Sequence, residues 1–301
     1  MTSRFLFGFY LVVFGIMMSG CSSVAWDHQK SIAGFYDQMA EKIIAREPLI
    51  FAVYAGLWND GKPPESNYHW GSKYGIYSMF DRAGNDPHIR QNYTHHQWTK
   101  IKFQKQANDP VRLAVFENEI QPNDFWKAKG VYSPFKIYVA FMAYTDLQDA
   151  GSDLVQNLEK SQAPIFTLDN GIKLDLGGAV AAGYNGHNYY YDISRRMRSL
   201  GMVPKVKKMP AETKGVFVIC CHSKNEYRQD FVDENLYALA FTTSRMAPEG
   251  YNLLALFDGI AQGLDGGQLK DKMDKGYRLF QVMGGQSTPG PLFVNHEVGL
   301  F

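Results

Sequence analysis

Four stretches of this chain are apolar almost from end to end and of strand length: residues 49–57 (LIFAVYAGL), 136–143 (KIYVAFMA), 215–220 (GVFVIC) and 237–242 (YALAFT). A strand with one face in water alternates apolar and polar residues. A strand apolar throughout must be covered on both faces, as in a parallel sheet with helices on either side. Helical patterns fall between these runs. Ile32, Phe35, Tyr36, Met39, Ile43 and Ile44 share one face ahead of Pro48, and Leu147, Ala150, Leu154, Val155 and Leu158 mark another between Asp146 and Lys160. Residues 68–82 and 193–200, a segment opened by Pro248 with Leu253, Leu254, Phe257 and Ile260, and residues 268–283 also read as helices. Two further strands are expected at 111–116 and in the small-residue run 176–184. The expected fold is therefore α/β, a three-layer sandwich around a mainly parallel sheet of about six strands. Residues 59–67 read as a loop, and the tail from 284 carries no pattern that assigns it.

The amino terminus reads differently. Arg4 precedes an apolar run over residues 5–18, too short to span a bilayer comfortably but suited to the core of an export signal. The run ends Met18-Ser19-Gly20-Cys21, which resembles a bacterial lipobox. That resemblance implies cleavage before Cys21 and acylation of its sulfur, so the expected divisions are a signal at 1–20, a tether at 21–30 and a single domain over 31–301. Ser22 rather than Asp after the cysteine favours the outer membrane, facing the periplasm, over the inner one. Removal of residues 1–20 leaves 30 basic and 30 acidic residues, so acyl chains rather than surface charge would hold the protein to a membrane. The same balance gives no pull toward nucleic acid.

With Cys21 acylated, only the adjacent Cys220 and Cys221 remain, and neighbours in sequence bridge only with backbone strain. A thiol kept in an oxidising compartment invites the question of a nucleophile. In an open parallel sheet, chemistry gathers at the carboxyl ends of strands. One expected strand ends Gly186-His187-Asn188 and the next ends Cys220-Cys221-His222. A cysteine nucleophile needs a base, and His187 with Cys221 can supply the pair. Gly186 would allow a tight turn before the histidine, and the backbone N–H groups of Asn188 and Cys221 could face a developing oxyanion. Taken singly, His187 is a turn residue and Cys221 a small core residue. Both types at two successive strand ends argue for more.

A strand ending in His beside Gly, followed by a strand ending in Cys, resembles the caspase-like cysteine peptidases, such as caspases, gingipains and legumains. Asn188 stands where those peptidases usually carry Gly. The chain also resembles a bacterial caspase-like family. The shared pieces are Asn67-Tyr68-His69-Trp70-Gly71 with Tyr74-Gly75, Gly186-His187-Asn188 with Asp192, Cys221-His222-Ser223, and the segment from Thr242 through Arg245 to Glu249. This similarity spans residues 49–283. It implies a His187–Cys221 dyad, with Cys221 one residue past the apolar run. Because neighbouring strand residues face opposite ways, Cys220 is then expected in the core.

Other residues have plainer readings. Asp192 suits a helix cap, Glu249 sits at a helix start where the dipole favours an acid, and Trp70 and Tyr74 read as packing. Arg245 reads as a solvated loop residue; as substrate contacts, Arg245 would meet a carboxylate and Glu249 remains a second candidate. His95 and His96 lack zinc spacing, Ser223 lies in no nucleophile elbow, and 177–186 matches no dinucleotide or phosphate loop, so no metal or cofactor is expected. The expected activity is that of an exported, lipid-anchored cysteine peptidase acting on a peptide or protein. The rival is a non-enzymatic envelope lipoprotein that uses the same fold for binding or assembly.

Overall fold

The computed structural model describes residues 32–57, 61–159, 163–188, 214–231, 236–283, 290–295 and 297–299. The expected export signal, Cys21, the tether, Asp192 and the helix over 193–200 lie outside the described residues.

In chain order the strands are β1 (Leu49–Gly56), β2 (Thr99–Lys105), β3 (Arg112–Ile120), β4 (Phe135–Tyr144), β5 (Ile165–Thr167), β6 (Lys173–Asp175), β7 (Ala181–Gly186), β8 (Lys214–Ile219), β9 (Leu236–Thr242) and β10 (Phe293–Val294). Eight of them form one sheet in the order β10-β9-β8-β7-β1-β4-β3-β2, and β5 pairs with β6 in a separate ribbon. From β9 to β4 the strands run parallel. The outer pairs β10–β9, β4–β3 and β3–β2 are antiparallel. The α/β expectation holds in this coarser form: a large, mostly parallel mixed sheet flanked by helices.

The described helices are α1 (Ile32–Ile44), α2 (Ile76–Arg82), α3 (Pro87–Asn92), α4 (Asp124–Ala128), α5 (Leu147–Leu158), α6 (Ser223–Phe231), α7 (Gly250–Gln262) and α8 (Gly266–Met283). Strand alternation divides the core between them. Phe51, Val53, Ala55, Phe217 and Ile219 pack with α1, α2, α7 and α8 on one face. Ile50, Ala52, Tyr54, Ala182, Tyr184, Val216 and Val218 pack with α5 and Tyr227 of α6 on the other. All eight residues of β1 are buried, which explains why its sequence carries no polar face.

Several sequence expectations need correction. Among the described residues the sheet has eight strands rather than about six. The addition β2, TKIKFQK, alternates lysine with apolar residues because it is an outer strand, and β10 is only two residues long. The strand expected over 176–184 starts at Ala181. Residues Leu176–Gly178 instead make a 3-10 turn, with the Asp175 side chain accepting from Gly177 N. The helix expected over 68–82 is confined to Ile76–Arg82. The chain before it turns around Asn67, whose carbonyl accepts from the N–H groups of Trp70, Gly71 and Ser72. Gly71 lies so close to Glu65 that an added Cβ would sit 2.1 Å from the Glu65 carbonyl oxygen, which no helix with a side chain there could tolerate. Trp70 is nonetheless buried and stacks on Tyr77, so its packing role stands without the helical spacing.

Candidate functional site

Strand β1 borders β4 on one side and β7 on the other, so the order of strands reverses direction here. Open parallel sheets bind ligands beyond the carboxyl ends at such a switch point. The chemistry-bearing residues gather there. Gly56 ends β1, and its carbonyl accepts from His187 N at 3.4 Å and from His69 Nδ1 at 3.1 Å. A carbonyl oxygen can only accept, so Nδ1 of His69 carries the proton. His69 is buried, and its own N–H donates to Asn67 Oδ1.

Asn185 of β7 pairs with Ile219 of β8 in parallel register. His187 and Cys221 each follow two residues later. Both therefore lie just beyond the last paired residues of two neighbouring parallel strands. Both are half-buried. The Asn188 side chain donates to the Cys221 carbonyl and ties the two strand ends together, while Tyr184 Oη donates to the His187 carbonyl at 2.6 Å. Gly186 does not serve a turn through positive φ. It permits close approach: a Cβ there would lie 2.4 Å from Gly56 O.

The two cysteines part as alternation requires. Cys220 is fully buried on the α5 face, where burial pushes its thiol well up. Cys221 Sγ accepts from Met246 N at 3.3 Å and lies 3.4 Å from the Met246 carbonyl oxygen. His222 takes φ 55°, a left-handed turn that few side chains adopt, and donates its N–H to Ser244 O. Ser223 is a structural latch, since its hydroxyl donates to Val218 O at 2.6 Å and accepts from Thr242 N. Thr242 Oγ1 donates to Cys220 O, which fastens the turn to β9. The sequence reading did not anticipate the Met246 contact; the loop from β9 to α7 gave its place in the chain but not which backbone group meets the sulfur.

Arg245 is exposed on that loop. Glu249 stands at the start of a helix, as expected. It occupies the N-cap position of α7 without capping it, and it is 2% exposed. Burial raises its carboxyl, and the hydroxyls of Tyr251 and Tyr68 offset part of that rise. Tyr277 accepts from Ala247 N at 3.2 Å. Burial raises the Tyr277 phenol, the Ala247 N–H opposes this, and the charges of Glu249 and Cys221 push it further up. Asn185, buried in β7, donates Nδ2 to Pro248 O at 2.7 Å and joins the same loop to the sheet. His69, Asn185, Tyr68 and Tyr277 were not singled out as site residues from sequence; a polar Asn inside an otherwise apolar strand was the available signal.

A cavity of about 670 Å³ opens elsewhere, beside Pro48, Leu49, Tyr132 and Phe135, and none of the residues above lines it. No group of His, Cys, Asp and Glu among the described residues is arranged to hold a metal ion; the His95 N–H donates to Asp258, and His96 Nδ1 faces the Tyr93 carbonyl. Comparison with protein-family models, with curated proteins and with solved structures finds no match for this chain.

Proposed function

We propose that the chain is a caspase-like cysteine peptidase, exported and held to the bacterial envelope through an acylated Cys21. The observation that carries this reading is the parallel pairing of Asn185 with Ile219, from which His187 and Cys221 each follow by two residues, beside the switch point of the sheet. Cys221 Sγ attacks the carbonyl carbon of a peptide bond as its proton passes to the His187 imidazole. The N–H groups of Asn188 and Cys221 hold the oxyanion. The C–N bond then breaks, His187 returns the proton to the leaving amine, and water hydrolyses the thioester to free the thiol. These steps use no metal or organic cofactor. Met246 N–H supports the reading by fixing the sulfur in position.

The test is the rate of iodoacetamide labelling against pH, beside cleavage of a peptide library by the soluble domain. Cys221→Ala is expected to abolish both fast labelling and cleavage, Cys220→Ala to retain both, and His187→Ala to slow labelling near neutral pH. Equal, slow labelling of all forms refutes the peptidase and leaves a binding or assembly protein. Mass spectrometry of the mature amino terminus tests the anchor separately: an unmodified terminus other than Cys21 refutes it.

A further inference from the structure

The cavity of about 670 Å³ lies at the other end of the sheet from Cys221. Leu49 and Phe135, which line it, are the first residues of the parallel pair β1–β4, and Gly56 ends the eight-residue β1 about 23 Å further on. Its walls come from both apolar layers: Ile43, Leu49 and Phe135 from the α1 side, Tyr138 and Ile172 from the α5 side. The volume falls within the range of about 300–1,000 Å³ that small-molecule sites occupy. Ile44 and Tyr132 line it too, and they are 58% and 76% exposed. Of the five large apolar side chains strongly exposed among the described residues, these two share one cavity, and exposed apolar area gathered in one place marks a binding surface.

Three charged residues line the cavity, and two are already matched. Glu47 accepts from Lys42 Nζ at 2.8 Å, and Lys136 Nζ donates to both carboxylate oxygens of Glu117 at 3.0 and 3.1 Å. Arg46 is the third. It is exposed, and its guanidinium has no partner among the described residues. It also sits at φ 60°, just past α1, where a helix end favours Gly. Lys42 already serves the helix dipole from the last turn of α1, so the dipole does not account for a second cation held in that strained position. Pro48 and Pro134 stand immediately before the two strands and have no N–H to offer a peptide. Apolar walls with one unmatched cation suit an aliphatic chain ending in a carboxylate. They suit a peptide less, because its amides would be left unpaired.

We propose that this cavity binds a fatty acid, with the aliphatic chain against Ile44, Leu49, Tyr132, Phe135 and Ile172 and the carboxylate on the Arg46 guanidinium. The site is separate from Cys221, and the proposal does not depend on the peptidase reading.

The experiment photolabels the full chain with dodecanoate carrying a diazirine near its methyl end. On irradiation the diazirine loses nitrogen and the carbene inserts into a neighbouring bond, and mass spectrometry locates the label. Label is expected within residues 43–49 and 130–138, and equally in Cys221→Ala. Unlabelled competitors read the affinity. From octanoate to dodecanoate, each added CH2 is expected to strengthen competition about fourfold, as the burial of one CH2 implies. Arg46→Gln is expected to weaken dodecanoate about fivefold, the upper end for an exposed ion pair, and to leave dodecanol unchanged; Arg46→Lys should regain part of the loss. Ile44→Glu puts a carboxylate on an exposed wall and is expected to abolish the label, with near-ultraviolet circular dichroism reporting the fold of each variant. Label elsewhere, or label that Ile44→Glu leaves intact, overturns the site. Competition that does not rise with chain length overturns the ligand class, and so does Arg46→Gln that leaves dodecanoate unchanged or weakens dodecanol equally.

Discussion

Replacing Gly186 with Ala tests the close approach that carries His187 into place. The new methyl carbon would sit 2.4 Å from the Gly56 carbonyl oxygen, 2.8 Å from its nitrogen and 2.9 Å from its Cα. All three are backbone atoms, so no side chain can swing aside. Relief requires β7 and β1 to separate near their ends by about 1 Å, taking the nearest contact to an ordinary one. The Gly56 carbonyl accepts from both His187 N and His69 Nδ1, and the former bond is already 3.4 Å long. Overpacking costs about 1–3 kcal/mol, and one lost hydrogen bond adds about 1 kcal/mol, so the expected loss is about 2–4 kcal/mol. Urea unfolding followed by circular dichroism measures it. Gly178→Ala is the control, because a Cβ there meets nothing within 4 Å; it is expected within about 0.5 kcal/mol of the wild type. A Gly186→Ala protein as stable as the control would refute the reasoning. It would mean that the strand ends yield freely and that His187 is not held by this contact.

Two other outcomes follow from single residues. His222 holds a left-handed φ of 55°; a β-branched residue tolerates that region poorly, so His222→Val is expected to unfold about 1–2 kcal/mol more easily than His222→Gly, and equal midpoints would remove the strain. Burial raises the Glu249 carboxyl, so the folded protein keeps a proton that the unfolded chain releases from about pH 4 upward. Stability therefore falls at this group as pH rises, Glu249→Gln escapes the loss, and the variant's advantage should widen toward neutral pH in urea titrations; parallel curves would refute it.

What the sequence made legible was whatever burial writes into it. The all-apolar β1 and the apolar run 215–219 of β8 announced a parallel centre, and the separation of Cys220 from Cys221 followed from alternation alone. Strand β2 stayed hidden because lysines alternate through it, and the turn at 67–75 because its apolar spacing imitates a helix while Gly71 abuts Glu65. The buried state of Glu249 was illegible for a different reason. An acid at a helix start is ordinary in sequence, and only the tertiary burial of its side chain makes it unusual. The backbone of Met246 was beyond reach in principle, because a main-chain donor has no sequence signature.

The lysines of β2 have a consequence for how the molecule behaves in company. A sheet ends in unpaired N–H and C=O groups, which another chain can extend strand by strand. Among the described residues one edge of the main sheet is β10, two residues long, and the other is β2, which carries Lys100, Lys102 and Lys105 among seven residues. Lys100 and Lys105 are bound to Asp81 and Glu65 of the same molecule, and Lys102 reaches across to the Thr167 carbonyl. A second copy approaching this edge would have to strip three ammonium groups of their partners before its first backbone bond formed. Crowding is thus resisted at the longer border of the sheet, where self-templated growth would otherwise begin.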